Sequence, residues 1–397
     1  MLGAIYIGMS GMDAYEKGLQ TISNNVANLN TLGFKATEVS FTDLFDYGGQ
    51  GEMLGSNAGS WQSGNGVSYG TPFIDFSQGT LNQTSQGLDL AIQGGGFLML
   101  LGGAQPVYAR TGSFKVDDQG FISLQGSDRH LAVIGPDGKP EAVNVSAKRT
   151  SPPKATTTIT FSDNLSSSAT DATVSNLSVY DSNGVKQTWT VKFTRNQSSG
   201  VTGNWAVQVT DSTGRTVGTS TLNFIGGTID PTTTKLVIND TPAGADPLAV
   251  TLDFSSGVTS FSSGTTSTIQ ATAVDGNGPG DLSDVAVDEN GQIKLTYSNG
   301  KTDLEGAVAV ADFRDPQQLQ RIGNGIYTHN GTEQVTLRAS NTAGVGTVVS
   351  KQLETSNVDL SKEFGDLILV QRGYQASSQV VSVANDMIQQ LFGIRGQ

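Results

Sequence analysis

Residues 5–29, IYIGMSGMDAYEKGLQTISNNVANL, carry the clearest periodic pattern in the chain. Two series of mostly apolar residues run through this stretch at seven-residue spacing, offset from each other by three positions. The first series is Ile5, Met12, Leu19 and Val26, and the second is Gly8, Tyr15, Ile22 and Leu29. Such a pattern is typical of the a and d positions of a coiled coil. It predicts a long N-terminal helix that needs a partner along one narrow face.

Glycine is unusually frequent within this predicted helix. Gly3, Gly8, Gly11 and Gly18 each cost about 1 kcal/mol relative to alanine in a helix interior. Few ion pairs between successive turns are available to offset that cost. We interpret the glycines as weakening the helix, so that it is stable only when a partner covers its seam.

The C-terminal end has the same seven-residue pattern. Ser356-Asn357-Val358-Asp359 provides a start signal for a helix, a hydroxyl followed three residues later by an acid. One seven-residue series of this end is Leu360, Leu367, Tyr374, Val381 and Ile388, and a companion series contains Val370, Ala384 and Leu391. We expect the two terminal helices to pair with each other and with copies from neighbouring chains. The residues expected on the seam are Ile5, Met12, Tyr15, Leu19, Ile22, Val26, Leu29, Leu360, Leu367, Val370, Tyr374, Val381, Ile388 and Leu391.

The middle of the chain alternates apolar and polar residues with a period of two, which indicates strands. Trp189, Val191 and Phe193 face one way, and a second strand beginning at Trp205 is expected to pair with them. Turn dipeptides suited to hairpins lie between such runs, namely Asp137-Gly138, Asn183-Gly184, Asn290-Gly291 and Asn299-Gly300. The predicted fold class is mainly β with terminal α-helices: a coiled-coil-like helix pair and two antiparallel β-domains, one inserted in the other.

Composition suggests where these parts begin and end. A Gly/Ser-rich stretch begins at residue 48, and Ser/Thr-rich stretches follow Ser151-Pro152-Pro153 and surround residues 260–268. We therefore expect a helical polymerisation domain from 1–30 plus 358–397 and an extended connector over 31–71. A middle β-domain is expected from 72–148 plus 271–357, and an inserted outer β-domain over 149–270.

Composition also excludes several functions. The 397 residues include 50 Gly, no Cys and 2 His, and the net charge is −13. An acidic chain without a Lys/Arg-rich stripe is not expected to bind nucleic acid. No apolar run approaches the ~18 residues of a membrane span, so no membrane insertion is expected. The N-terminus lacks the basic region and cleavage site of a secretory signal peptide.

Three motifs resemble sites of known chemistry. Gly66-Val67-Ser68-Tyr69-Gly70 matches the nucleophile-elbow pattern, with His329 as a possible base, but the expected strand before it and helix after it are missing. The acidic run from Asp275 to Asp284 lacks the spacing of a Ca²⁺ loop, and a solvated turn is favoured. Gly94-Gly95-Gly96 is not followed by the residues of a phosphate loop. The chain is therefore predicted not to be an enzyme, with no catalytic, cofactor or metal residues.

The two ends resemble the signatures of one family. Residues 22–35, ISNNVANLNTLGFK, resemble the N-terminal signature of the bacterial flagellar rod/hook family, and residues 356–360 with 371–376 resemble its C-terminal signature. Residues 108–114 and 311–316 are similar to core segments of the same family. The motif residues are Asn24, Asn25, Asn28, Thr31, Gly33, Phe34, Lys35, Asn357, Val358, Asp359, Gln371 and Arg372.

Within this family, the length of the chain and its insertion resemble hook-type members, and a distal-rod-type subunit is the alternative. The resemblance implies a structural subunit that polymerises into a helical tube and acts as a flexible universal joint, transmitting torque from rod to filament. It also implies contacts with the distal rod, the hook cap, the hook–filament junction proteins and the flagellar type III export apparatus. The implied location is the extracellular hook of the basal body, reached without a cleaved signal peptide. An extracellular adhesin built from β-modules is a further alternative, but it does not predict coiled-coil ends.

Overall fold

The computed structural model describes residues 2–45, 64–196, 203–331, 335–342 and 344–395. Helix α1 covers Leu2–Ala27 and helix α2 covers Leu360–Arg395. Strands occupy most of the chain between them, and the two helices pack against each other. The predicted fold class is therefore confirmed. Neither helix combines the length and the apolar character that a membrane span requires, as far as the described residues go.

The strands follow one another closely along the chain. In chain order they are β1 (Thr37–Glu38), β2 (Phe41–Phe45), β3 (Gly64–Tyr69), β4 (Phe73–Ile74), β5 (Leu81–Gln83), β6 (Asp89–Gln93), β7 (Phe97–Leu101), β8 (Val107–Ala109), β9 (Thr111–Val116), β10 (Ile122–Leu124), β11 (His130–Ile134), β12 (Pro140–Ala142), β13 (Thr150–Ser151), β14 (Thr158–Ser162), β15 (Asp171–Tyr180), β16 (Lys186–Arg195), β17 (Asn204–Asp211), β18 (Thr216–Ile225), β19 (Thr228–Ile229), β20 (Lys235–Asp240), β21 (Leu248–Asp253), β22 (Gln270–Val274), β23 (Gly280–Val287), β24 (Gln292–Tyr297), β25 (Thr302–Asp312), β26 (Leu319–Gly323), β27 (Ile326–His329), β28 (Thr336–Ala339), β29 (Thr347–Ser350) and β30 (Gln352–Glu354). Short 3₁₀ helices occur at Ser146–Lys148 and Pro316–Gln318.

The first of two compact units contains both helices. It comprises Met1–Ser146, Val285–Lys294 and Leu304–Gln397. Strands β7, β11, β10, β9, β6 and β29 are successive antiparallel neighbours in its sheet. Phe97 lies at the centre of its core, with ring centroids 5.5 Å from Phe76, 5.6 Å from Phe313 and 5.9 Å from Tyr327. Burial of each such aromatic side chain contributes about 1.5–3 kcal/mol to the stability of the fold, so this cluster stabilises the sheet of the first unit.

The second unit comprises Ala147–Asp284 and Leu295–Asp303. Strands β15 to β19 form an antiparallel sheet in sequence order, and a second sheet has the order β20-β21-β14-β22. Val191 pairs with Val209 and Phe193 with Val207, which confirms the predicted strand pairing around the buried Trp189. One pair, β14 with β21, runs parallel, which the expectation of purely antiparallel domains did not include.

The predicted turn dipeptides adopt the expected backbone geometry. The glycines of all four have positive φ, namely Gly138 (76°), Gly184 (78°), Gly291 (73°) and Gly300 (76°). The predicted domain limits remain a prediction, and the second unit also takes in residues 271–284 and 295–303 beyond the expected 149–270. Strands β1, β2 and β3 lie within the predicted connector 31–71, of which residues 46–63 fall outside the described residues.

Candidate functional site

The terminal helices form an antiparallel pair with a constant register. Asn25 donates a hydrogen bond to Glu363 at one end of the pair. Further along, Gly18 lies against Val370, Gly11 against Ser377 and Gly8 against Val381. The two residue numbers of each of these pairs add up to 388 or 389. The helices therefore keep one register from Asn25 to Gly8 of α1.

The glycines lie where the helices approach each other most closely. A Cβ atom at Gly8 would be 2.6 Å from Val381 Cγ2 and 3.1 Å from the Ser377 carbonyl oxygen, and one at Gly11 would be 2.5 Å from Ser377 Oγ. Gly373 of α2 is in the same situation against the Tyr15 ring, whereas Gly3 has no neighbour within 4 Å. At these positions glycine permits contact between the helices. The interpretation that all four glycines serve to weaken α1 is thus incomplete.

The buried line of α1 consists mainly of small residues, and it follows Gly8, Gly11, Ala14, Gly18, Ile22 and Asn25. Among the predicted seam residues, Ile22 and Val370 are buried, and Leu360, Tyr374 and Leu391 are exposed. The partly buried remainder is Ile5, Met12, Tyr15, Leu19, Val26, Leu29, Leu367, Val381 and Ile388. Their role as a seam between subunits stays a prediction, since a single chain shows only the contacts of one α1 with one α2.

A hairpin of β2 and β3 covers a further side of α1. The Tyr15 and Phe41 ring centroids are 5.1 Å apart, and the hydroxyl groups of Thr21 and Tyr69 are 2.7 Å apart. Ser68, of the nucleophile-elbow pattern, lies within β3 and pairs with the Thr42 hydroxyl at 2.9 Å. The strand-to-helix turn of that motif is absent around residues 64–74 of the described chain, so the pattern has no elbow here.

The motif residue Asn25 connects three elements. Its side-chain NH₂ donates to the Thr37 carbonyl and to Glu363 Oε1, both at 2.9 Å, and its Oδ1 accepts from the Thr37 N–H at 3.0 Å. Asn25 is 2% exposed, so these bonds lie away from water. It thus joins the end of α1, strand β1 and the first turn of α2, and each polar group of its amide has a partner.

Asn24, Asn28 and Thr31 close the end of α1. Asn28 donates to the Asn24 carbonyl oxygen at 2.9 Å and to Asn24 Oδ1 at 2.7 Å, and Thr31 Oγ1 donates to Asn28 Oδ1 at 3.0 Å. These are local bonds of a helix stop, in which side chains satisfy the last carbonyl groups.

Below the helices, both chain ends meet the sheet of the first unit in a region that we call the root, residues 33–37 and 354–359. Lys35 Nζ lies 2.6 Å from Glu354 Oε1, and both side chains are fully buried. Lys35 also donates to the Ser77 carbonyl oxygen at 2.7 Å. Arg110 approaches the other carboxylate oxygen of Glu354 at 3.3 Å and donates to the Gly96 carbonyl oxygen at 2.6 Å. Burial lowers the pKa of Lys35, although the Glu354 carboxylate acts in the opposite direction.

The other motif residues of the root connect the two ends directly. The Ala36 N–H donates to Asn357 Oδ1 at 2.7 Å, and Asn357 Nδ2 donates to the Asp75 carbonyl oxygen at 2.8 Å. Gly33, with a φ of 65°, donates its N–H to the Glu354 carbonyl oxygen at 2.9 Å.

Apolar packing and a helix cap complete the root. Phe34 packs with Val358, and the Arg321 guanidinium lies 4.3 Å from the Phe34 ring centroid. Asp359 caps α2 by accepting from the Ser361 N–H at 2.7 Å.

Sequence reasoning did not identify Arg110 and Glu354 as site residues. Arg110 stands in a segment that was compared with the family core, but nothing marked it as buried. Glu354 lies two residues before the start signal of α2, and its partner Lys35 is 319 positions away. A single sequence gives no indication of such a distant pairing. The one available signal was that Lys35 is the single charged residue of the motif over residues 22–35.

Much of α2 remains uncovered in the single chain. We call these exposed apolar residues the outer apolar face: Phe364, Ile368, Leu369, Val380, Val383, Met387, Leu391 and Phe392. Near the start of α1, Leu2 and Tyr6 are 80% and 61% exposed. The motif residues Gln371 and Arg372 are exposed on α2. Apolar surface of this extent on a long helix indicates an interface with another protein.

The remaining motifs have structural roles. Asp275 accepts from the N–H groups of Thr157 and Thr158 and from Thr157 Oγ1, which lie 117 and 118 positions earlier in the chain. The predicted solvated turn is therefore wrong, because Asn277 is buried in a bridge to Lys154 and the run continues into strand β23. Burial raises the pKa of Asp275, but the hydrogen bonds from Thr157, Thr158 and Lys154 outweigh this effect and lower the pKa to about 2. The His130 ring bonds to Ser123 at 2.9 Å. No group of three or more His, Cys, Asp or Glu suited to a metal occurs among the residues that the structure describes.

Comparison with known proteins identifies the class. Residues 5–35 match the family model described as flagella basal body rod protein, and residues 349–394 match the one described as flagellar basal body rod FlgEFG protein C-terminal. The matches cover α1 with the N-terminal part of the root and α2 with the C-terminal part. The fold and the site therefore define a structural protein of the flagellar rod and hook class.

Full-length relatives narrow this class. The flagellar hook protein FlgE of Escherichia coli is 30% identical, with 98% of each chain covered, and that of Salmonella typhimurium is 31% identical with the same coverage. The hook protein of Borreliella burgdorferi is 26% identical over the whole of both chains. A crystal structure of the Helicobacter pylori flagellar hook protein FlgE2 has a similar fold, with a TM-score of 0.50 at 12% identity, and covers 69% of this chain and 100% of its own.

The chain belongs to the flagellar hook protein family and is a structural subunit of the bacterial flagellar hook. The distal-rod alternative is not better supported, because the full-length relatives are hook proteins.

Proposed function

We propose that this chain polymerises through its helix pair and the outer apolar face into a helical tube that bends while it transmits torque. The main support is the amount of apolar surface on α2 that α1 does not cover. Contacts between unlike faces generate an open helical assembly when the rotation from one copy to the next does not close a ring. In the proposed tube the helix pair lines the channel, the β-domain over 72–148 plus 271–357 surrounds it, and the insertion over 149–270 lies outermost.

The proposed partners follow from the family resemblance. They are copies of the same chain, the distal rod at one end of the tube, the hook cap during growth and the hook–filament junction proteins at the other end. We propose that the flagellar type III apparatus exports the chain without removing a signal peptide, and that it performs no catalysis. Helices that gain their full set of contacts only in the polymer suit a chain that travels unfolded.

The outer apolar face can be tested by electron microscopy of the purified full chain. Ile368 and Leu369 are 56% and 70% exposed, so I368S/L369S leaves the helix pair of the single chain intact. We expect this variant to form no tubes, because each copy loses apolar burial of about 1.5–3 kcal/mol per side chain. The exposed Gln379 provides a control, and Q379S should assemble as the unmodified chain does. Normal tubes from I368S/L369S would remove this face from the proposed interface.

A further inference from the structure

The root contains an ionic cluster whose partners come from three separate parts of the chain. Lys35 follows α1, Glu354 precedes α2, and Arg110 belongs to the sheet between them. Lys35 and Glu354 are 319 positions apart, and Arg110 and Glu354 are 244 positions apart. All three side chains are at most 4% exposed. The cluster therefore exists only when both chain ends lie on the sheet.

Glu354 is the shared acceptor of this cluster. Its Oε1 accepts from Lys35 Nζ and from the Gly79 N–H at 2.8 Å, and its Oε2 faces Arg110 Nε. Its own N–H donates to Thr111 Oγ1 at 3.1 Å. Two buried cations thus depend on one buried carboxylate. A buried ion that loses its partner is strongly unfavourable, whereas removal of both partners is often tolerated.

We propose that Glu354 couples the docking of the two chain ends, so that neither the α1 end nor the α2 end is stable on the sheet without the other. If the α2 end detaches, Lys35 and Arg110 remain as buried cations without their carboxylate. If the α1 end detaches, Glu354 loses its closest cation. Glu354 is accordingly a positioning residue, which fixes the helix pair on the first unit in a single cooperative step. The inference concerns the single subunit and does not depend on the proposed polymer contacts.

The chain contains no cysteine, so spin labels can be placed at two introduced cysteines only. Ser23 on α1 and Asp118 between β9 and β10 are exposed, and their label pair reports docking of the helix on the sheet. Glu16 and Gln375 are exposed on α1 and α2, and their pair reports the contact between the helices. Distances are measured by pulsed electron paramagnetic resonance on the monomeric full chain.

The unmodified chain should give one narrow distance for each pair. E354Q should broaden the Ser23–Asp118 distance, because the undocked population rises by about a hundredfold or more. The decisive variant is K35M/E354Q. Its Ser23–Asp118 distance distribution should be narrower than that of E354Q, because methionine removes the buried ammonium group. The proposal is overturned if the Ser23–Asp118 distance distribution of the double variant is as broad as that of E354Q. It is also overturned if the distribution of E354Q is as narrow as that of the unmodified chain.

Two further variants keep the test decisive. If E354Q alone yields no folded protein, the proposal still requires K35M/R110M/E354Q to fold, because this variant removes both buried cations together with the carboxylate. An unfolded triple variant refutes the proposal. Lys17, with an exposed ion pair to Asp13 at 2.8 Å, provides the matched lysine control. K17M should leave both distances narrow. A broadening of the Ser23–Asp118 distance by K17M would show that the effect does not depend on burial at the root, and would also overturn the inference.

Discussion

At the scale of single residues, Glu363 combines burial with a hydrogen bond across the helix pair. Burial raises its pKa, and the Asn25 amide opposes this effect. Asp359, Lys362 and Asp366 are the charged groups nearest to it. Between the unfolded and the raised native pKa, the native state binds more protons than the unfolded state. The stability contributed by Glu363 is therefore fully present below the unfolded pKa and is lost as the pH rises through the native pKa.

This leads to a prediction for E363Q, which removes the charge and keeps an acceptor for Asn25. At pH 7 the variant should be more stable to urea than the unmodified chain, and near pH 4 the two should be nearly equal. The difference between the two chains isolates Glu363 from other carboxylates, including Glu38 in its ion pair with Lys362. An unchanged difference across this range would show that burial does not perturb Glu363.

The glycines of α1 give a second prediction at this scale. A methyl group at Gly8 meets Val381 and the backbone of α2, whereas one at Gly3 meets nothing within 4 Å. G8A should speed hydrogen exchange of the α1 amides, because overpacking by about 1–3 kcal/mol exceeds the helix-propensity gain of about 1 kcal/mol. G3A should slow this exchange or leave it unchanged. If both variants slowed it, the glycines would serve only to weaken the helix.

At the scale of elements, the register of the helix pair leaves part of α2 without a partner. Extended from Gly8 to Leu2, the first residue of α1, this register ends near residue 386, while α2 continues to Arg395. The remaining nine residues extend about 13 Å beyond α1. Leu391 and Phe392 in this overhang are 53% and 71% exposed. The overhang has the length and the apolar character of a contact with another subunit.

We predict that L391S/F392S blocks tube formation and leaves the single chain folded. Size-exclusion chromatography and circular dichroism check the monomer, and electron microscopy checks the tubes. The neighbouring exposed glutamines provide the control Q389S/Q390S, which should assemble. Assembly of L391S/F392S at the normal rate would show that the overhang makes no essential contact.

The elements themselves were predictable from the sequence, and their contacts were only partly so. Both helices and the strand pairing around Trp189 follow from local periodicity, which a single sequence displays directly. The closest line of the helix pair was predicted only in part. Gly8 lies on the second seven-residue series, whereas Gly11 and Gly18 lie on neither series, because apolar spacing points to large side chains. The bond between Lys35 and Glu354 depends on closure of the whole chain, for which local patterns provide no signal.

At the scale of the whole molecule, each unit has a core of its own. Trp189 and Trp205 are both 0% exposed and belong to the apolar core of the second unit. Their fluorescence therefore reports on that unit. Trp61, outside the described residues, is removed by W61F for this purpose.

We predict that deletion of residues 358–397 in the W61F background leaves the emission maximum of the two buried tryptophans unchanged. The urea midpoint of their fluorescence should also be unchanged, because no residue of α2 occurs in the described core of the second unit. W61F with its full-length C-terminus is the control. A red shift after the deletion would mean that the second unit needs α2 in order to fold.

The root also has a mechanical consequence. Both helices join the sheet at the same end of the pair, through Lys35 and Ala36 on one side and Glu354 and Asn357 on the other. A pull along the helix axis therefore loads the two connections in parallel and in shear, so that their bonds must rupture together. Hydrogen bonds that are loaded one after another, as in a zipper, would yield at a lower force. The helix pair can leave the sheet only after both connections have failed.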